Sequence, residues 1–221
     1  MFREAMLVMR KDLLIERRSL ASTAHVIPFA LVMLVLFAFA LDPDRATLDK
    51  AAPGLFWIAV LLSALMAIQR SFAIESGGSA FEFLKMSGLG PTAVFLGKAA
   101  ALGVQLLVLE CILLAGVVVL YNVDVSAAVD MIPVCLLTTA GIAAVGTIYG
   151  SFSGAISARE ALLPLMFLPV IAPVLLAATR ASEAAIGIGL DYGVWVQVLA
   201  VFAVVYLAAG SVAFGPLMED A

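Results

Sequence analysis

Six long stretches of this chain carry almost no charge. Residues 19–41, 51–69, 131–158, 161–179 and 192–218 contain no Asp, Glu, Lys or Arg, and residues 99–123 contain one, Glu110. About 20 apolar residues in helical form cross the roughly 30 Å hydrocarbon core of a bilayer. Lipid offers no partner to an exposed backbone amide, so a spanning run of this length reads as a helix. The expected class is therefore all-α: a polytopic membrane protein with six transmembrane helices, over 19–41, 52–70, 95–121, 131–154, 161–180 and 193–216.

Composition agrees. Hydrophobic residues make up 64% of the chain and charged residues 13%, against about 45–50% and 25% in soluble domains. The connectors and ends are too short for an extramembrane domain of usual size, so residues 1–221 form a single membrane domain. Cys111 and Cys135 both lie in apolar runs, in no C-x-x-C pattern, and read as small buried hydrophobes. The first run is 23 residues, longer than the 7–15 of a secretory signal, and reads as an uncleaved span.

Charge supplies a direction. Of the twelve Lys and Arg residues, nine fall on one side: Arg3, Arg10, Lys11, Arg17, Arg18, Arg70, Lys85, Lys98 and Arg159. Arg45, Lys50 and Arg180 fall on the other. Positive connectors stay cytoplasmic, which predicts both termini inside and segments 42–50, 122–130 and 180–191 outside. Trp57 and Trp195 sit near the outer ends of their spans, where aromatic belts form.

The leader, residues 1–18, reads as an amphipathic interfacial helix. Phe2, Met6, Met9 and Leu13 follow the helical period along one stripe, while Leu7, Val8, Leu14 and Ile15 blur it. Such a helix lies among headgroups with its basic residues toward anionic lipid.

The connector 70–98 is the longest and the most structured, with a cytoplasmic coupling segment over 75–90. Ser79-Ala80-Phe81-Glu82 has capping-box spacing, and Gly88 and Pro91 stop the short helix it begins. Phe81, Phe83, Leu84 and Met86 expose more apolar surface than a solvated loop should, which implies a cover: membrane, the rest of the chain or a partner. Glu75, Ser79, Phe81, Glu82, Phe83, Leu84 and Lys85 are the candidate ATPase-coupling residues.

Within the spans, four features stand out. Gly146, Gly150 and Gly154 share one helix face, a spacing that lets helices approach closely, within the chain or across a dimer. Pro164, Pro169 and Pro173 interrupt the fifth span, as a hinge or cavity lining or as a plain structural kink. Glu110 lies mid-span and is expected to be neutral or to face the protein interior, as a functional carboxyl or as one that only packs. His25, the one histidine, is a haem-ligand or pH-sensor candidate or an interfacial polar residue.

No phosphate-binding loop, zinc-protease helix, nucleophile elbow or metal-ligand cluster occurs in the sequence, and Gly97-Lys98 lacks the rest of a nucleotide-binding loop. No basic patch suits nucleic acid. The chain is not expected to be an enzyme, nor to bind a metal or cofactor itself. Six spans are few for an enclosed pathway, which points to a homodimer docked to a separate ATPase that binds ATP.

These segments also resemble a known family. Ala52-Pro53-Gly54-Leu55-Phe56-Trp57-Ile58-Ala59, Leu61-Leu62-Ser63 and Arg70-Ser71-Phe72 are similar to the second-span signature of haem exporter protein B (CcmB). The likeness continues through Phe83-Leu84, Gly90-Pro91 and Gly97-Lys98. It returns at Leu168-Pro169-Val170-Ile171-Ala172-Pro173-Val174-Leu175. The resemblance implies an ABC-2-type permease-like subunit in the cytoplasmic (inner) membrane, multi-pass, handling haem for cytochrome c maturation. Its implied partners are a CcmA-like ATP-binding subunit and CcmC-like and CcmD-like membrane subunits, with haem as a possible substrate. A small ABC-2-type exporter of lipid, drug or polysaccharide and a non-transporting membrane scaffold are the alternatives. No haem-contacting residue follows from the resemblance.

Overall fold

The computed structural model describes residues 1–19, 21–41, 45–76, 89–121, 125–152, 159–189 and 191–220. They form seven helices: α1 (Phe2–Ser19), α2 (Ala21–Leu41), α3 (Arg45–Ser76), α4 (Pro91–Tyr121), α5 (Val125–Phe152), α6 (Arg159–Ala185) and α7 (Tyr192–Asp220). No strand occurs among the described residues. The membrane class expected from the sequence is therefore the class observed.

Among the described residues, five helices are long and apolar enough to cross a bilayer, over Lys50–Phe72, Pro91–Val119, Val129–Ser151, Pro164–Ala185 and Tyr192–Pro216. The described apolar part of α2, Ile27–Phe37, is shorter. Among the described residues, five rather than six spans are thus established by length. The helices also overrun the uncharged runs. Arg45 to Lys50, read from sequence as connector, are the opening turns of α3, because a helix continues through the headgroup layer once its backbone bonds are propagating.

Local chemistry sets several helix ends. Pro91 opens α4, where a missing amide costs nothing, and Gly90 O accepts from Ala93 N at 2.9 Å and Val94 N at 3.1 Å. α6 ends in a Schellman turn: Ile188 N donates to Glu183 O at 2.9 Å and Gly187 N to Ala184 O at 3.1 Å. Gly187 has φ 79°, the left-handed conformation that this turn requires. The turn brings α7 back beside α6 within a few residues.

The main core joins α2 to α7. Of the five long apolar helices, α5 is the most buried and α7 the least. Small residues decide who touches whom. Ile68 and Phe72, one turn apart on α3, lie against Gly146 and Gly150, one turn apart on α5. A Cβ at Gly150 would collide with the Phe72 ring. Trp57 is 1% exposed, stands edge-on to Phe56 at 5.0 Å between centroids, and donates Nε1 to Ser182 Oγ at 2.9 Å. It ties α3 to α6 instead of lying in a lipid-facing belt. An indole whose N–H finds a hydroxyl partner is better satisfied inside the bundle than at its rim. Trp195 is half-buried against the same core.

A second, smaller core sits at the end of the bundle where α1 lies. Val8, Val94, Phe95, Ala144 and Phe214 form it, from α1, α4, α5 and α7. Phe95 fills the space above Gly210 and meets Phe214 at 5.6 Å between centroids.

Candidate functional site

The leader helix does not use the stripe that its sequence suggests. Val8, off that stripe, is 3% exposed, while Phe2 is 81% exposed and Met6, Leu7, Leu14 and Ile15 are also exposed. α1 packs along the first turns of α4. At Gly97 an added Cβ would stand 2.6 Å from Ala5 O and 2.7 Å from Val8 Cβ. The side facing the protein is therefore that of Ala5, Val8 and Asp12. The Phe2/Met6/Met9/Leu13 stripe points elsewhere, with Arg3, Arg10 and Arg17 next to it on a 3.6-residue wheel. Small residues on both partners allow this close approach, and hydropathy alone carries no trace of it.

Beside Gly97 lies Lys98, 4% exposed. Its Nζ stands 3.6 Å from Asp12 Oδ2 and 5.1 Å from the centroid of the Phe72 ring. Asp12 Oδ1 takes Lys11 Nζ at 2.9 Å. Phe72 in turn occupies the Gly150 notch. Three helices thus meet at one buried ammonium group, and α5 backs the Phe72 ring. In the sequence Lys98 counts as one of the inside positive charges, as part of an incomplete nucleotide-binding pattern and within the family resemblance, but not as a buried group, and Asp12 does not stand out at all. The available signal was weak, since Asp12 is one of three acidic residues in the leader, with Glu4 and Glu16.

This cluster brackets the candidate coupling segment. α3 ends at Ser76, four residues past Phe72, and α4 begins at Pro91, seven before Lys98. Ser79, Phe81, Glu82, Phe83, Leu84 and Lys85 lie outside the described residues. Glu75 falls in the last turn of α3, and its side chain also lies outside them. The same holds for the side chain of His25, on α2, and for Gly154.

Mid-membrane, Glu110 on α4 is 2% exposed. Thr139 Oγ1 donates to its Oε1 at 2.6 Å. Oε2 has no hydrogen-bond partner among the described residues, although Cys135, one turn from Thr139 on α5, lies against the same carboxyl. Thr139 and Ala143 also face Gly103, where the absent side chain draws α4 and α5 together. Glu110 does face the protein interior, as its depth requires. Cys135 is buried, whereas Cys111 is exposed, contrary to its reading as a buried hydrophobe. Among the described residues no three His, Cys, Asp or Glu side chains are grouped to hold a metal.

The fifth-span prolines lie in one unbroken helix, α6. Pro169 and Pro173 are exposed and Pro164 half-buried, so two of the three turn outward from the bundle. Proline has no N–H, which leaves the carbonyls of Leu165 and Pro169 without their usual donors four residues on. Nearby, Tyr206 Oη donates to Val170 O at 2.8 Å, linking α7 to α6 within this irregular stretch.

An all-helical, multi-pass membrane protein emerges, with, among the described residues, a buried carboxyl at mid-span, Glu110, and a buried cation, Lys98, at the end where the leader helix docks. The family model described as CcmB protein matches residues 3–219. The chain belongs to that family. It is 28% identical over 190 residues to heme exporter protein B of Haemophilus influenzae, a match covering 84% of each chain. To heme exporter protein B of Bradyrhizobium diazoefficiens it is 26% identical over 207 residues, covering 92% of this chain and 91% of the relative. To that of Escherichia coli K12 it is 33% identical over 107 residues, 47% of this chain and 49% of the relative.

Proposed function

We propose that this chain is the membrane permease subunit of an ABC transporter complex that handles haem for cytochrome c maturation. The observation that carries this reading is the match to the CcmB family along nearly the whole chain, supported by relatives named heme exporter protein B. The chain carries no nucleotide-binding sequence motif, so ATP binds and is hydrolysed in a separate, CcmA-like subunit. CcmC-like and CcmD-like proteins complete the membrane assembly. Haem is the substrate, either exported or delivered by ATP-driven release of a haem-loaded chaperone.

The subunit resides in the inner membrane with both termini cytoplasmic, and pairs with a second copy. The segment 75–90 then faces the cytoplasm, where Phe81, Phe83 and Leu84 meet the ATPase while Glu75, Ser79, Glu82 and Lys85 frame them. The apolar stripe of α1, exposed at Phe2 and Met6, and the basic ridge beside it suit the headgroup layer on that same side. Glu110 and the α6 prolines are candidates for the elements that move during the cycle.

Two experiments test this. Deleting the gene should abolish holocytochrome c formation, and normal cytochrome c in the deletion strain would instead favour an ABC-2-type exporter of another cargo. Phe81→Glu with Phe83→Glu should release the nucleotide-binding subunit from the purified complex. Undiminished association would remove the coupling role from this segment, and absence of any ATP-dependent change in the reconstituted complex would make the chain a scaffold.

A further inference from the structure

We infer that Asp12, Lys98 and Phe72 form a clasp through which the leader helix positions both ends of the coupling segment. The inference rests on the reading of this chain as an ATPase-driven permease subunit. Its physical basis is the placement of one lysine. Lys98 is 4% exposed, at a depth where an ammonium group is retained only if it is paired. Its Nζ has the Asp12 carboxylate at 3.6 Å on one side and the face of the Phe72 ring at 5.1 Å on another. A cation over an aromatic face gains most when desolvated, as here.

The geometry is directional. Asp12 belongs to α1, Phe72 to the last turns of α3, and Lys98 to the early turns of α4. The segment 77–90 connects the last two, so the ammonium group binds the helix on either side of it to a common point. Neither partner can shift freely. Phe72 is wedged against Gly150 of α5, and α1 is held by Val8 seated against Gly97. Asp12 divides its oxygens, Oδ2 toward Lys98 and Oδ1 toward Lys11 at 2.9 Å. A purely structural α1–α4 contact would need only Val8 and Gly97. The additional buried ion pair fixes the rotation and register of α1, which apolar contact alone leaves loose. Lys98 and Asp12 are thus positioning residues: they act on ATPase coupling through the segment they bracket.

The test uses the full chain co-purified with its nucleotide-binding subunit in nanodiscs, as Asp12→Asn, Lys98→Met and the charge-swapped Asp12→Lys/Lys98→Asp pair. The single variants should retain the ATPase subunit while ATP turnover per complex falls about fivefold or more. The swap remakes the α1–α4 pair but sets a carboxylate against the face of the Phe72 ring, so it should restore only part of the turnover. Spin labels at Arg10→Cys and Ala100→Cys, in a Cys111→Ser background, should give one narrow distance in the parent and the swap and a broad one in the single variants. Unchanged turnover with an unchanged distance, or a distance that stays broad in the swap, overturns the clasp. Loss of the single variants from the membrane overturns it as well, since the pair would then be a folding element. If the parent chain retains no nucleotide-binding subunit, the functional reading fails instead, and the label distances alone decide whether the clasp exists.

Discussion

Glu110 illustrates how a polar residue persists in lipid. Its Oε1 accepts the Thr139 hydroxyl at 2.6 Å, and the two residues lie on adjacent helices that Gly103 lets approach. Removing the carboxyl strands a buried hydroxyl. Glu110→Ala should therefore cost about 1–3 kcal/mol, read as a lower melting temperature in detergent, while Glu110→Gln keeps an acceptor and should stay near the parent. If Glu110→Gln retains stability yet loses haem-dependent turnover, the carboxyl functions in the cycle rather than only packing. Trp57→Phe removes one interhelical hydrogen bond, to Ser182. The expected cost is about 0.6 kcal/mol, the average for such bonds in lipid, and a larger loss would show that the indole volume matters more than its N–H. Glu110 was visible in the sequence because a lone charge stands out in an apolar run. Its partner was not, since Thr139 is one of several hydroxyls at similar depth and only the α4–α5 contact selects it.

Helix faces carry the next level. The glycines of α5 look in sequence like a motif for either internal packing or dimerisation. Ile68 and Phe72 of α3 occupy the Gly146 and Gly150 positions, so this part of the face is already used within the chain. Gly150→Leu should force the Phe72 ring aside and destabilise the chain by about 1–3 kcal/mol, seen as aggregation in fluorescence-detected size exclusion. A stable monomer that has merely lost its dimer would contradict this packing. The α6 prolines invite the opposite expectation. Pro169 and Pro173 turn outward, so Pro169→Ala with Pro173→Ala opens no cavity and returns two backbone donors. Stability should hold or rise. A fall in ATP-coupled turnover at unchanged stability would assign the irregular helix a role in movement. α1 teaches a related lesson: its most hydrophobic stripe is not its docking face, because close backbone approach favours Ala5 and Val8 over bulky Phe2 and Met6.

For the molecule as a whole, charge distribution predicts orientation. A reporter active only in the cytoplasm should work when fused after residue 221, and one active only outside should work in the 186–191 turn. The reverse pattern would invert the assignment and put the 75–90 segment beyond reach of an ATPase. The sequence by itself determined that the chain lives in a bilayer as helices and roughly where each uncharged run begins and ends. Those are sums over about 20 neighbouring residues, and no distant contact can overturn them. Tertiary structure decided everything that depends on which side of a helix meets another helix. In lipid, an apolar side chain facing tails and one facing a neighbour have the same hydropathy, so the amphipathic pattern that orients soluble helices is missing. Shape settles the matter instead: a ring above a glycine, a tryptophan reaching a serine, an aspartate on the leader meeting Lys98. The uncharged runs thus set roughly where the apolar helices lie, while a few notches and a buried cation set how they stand together.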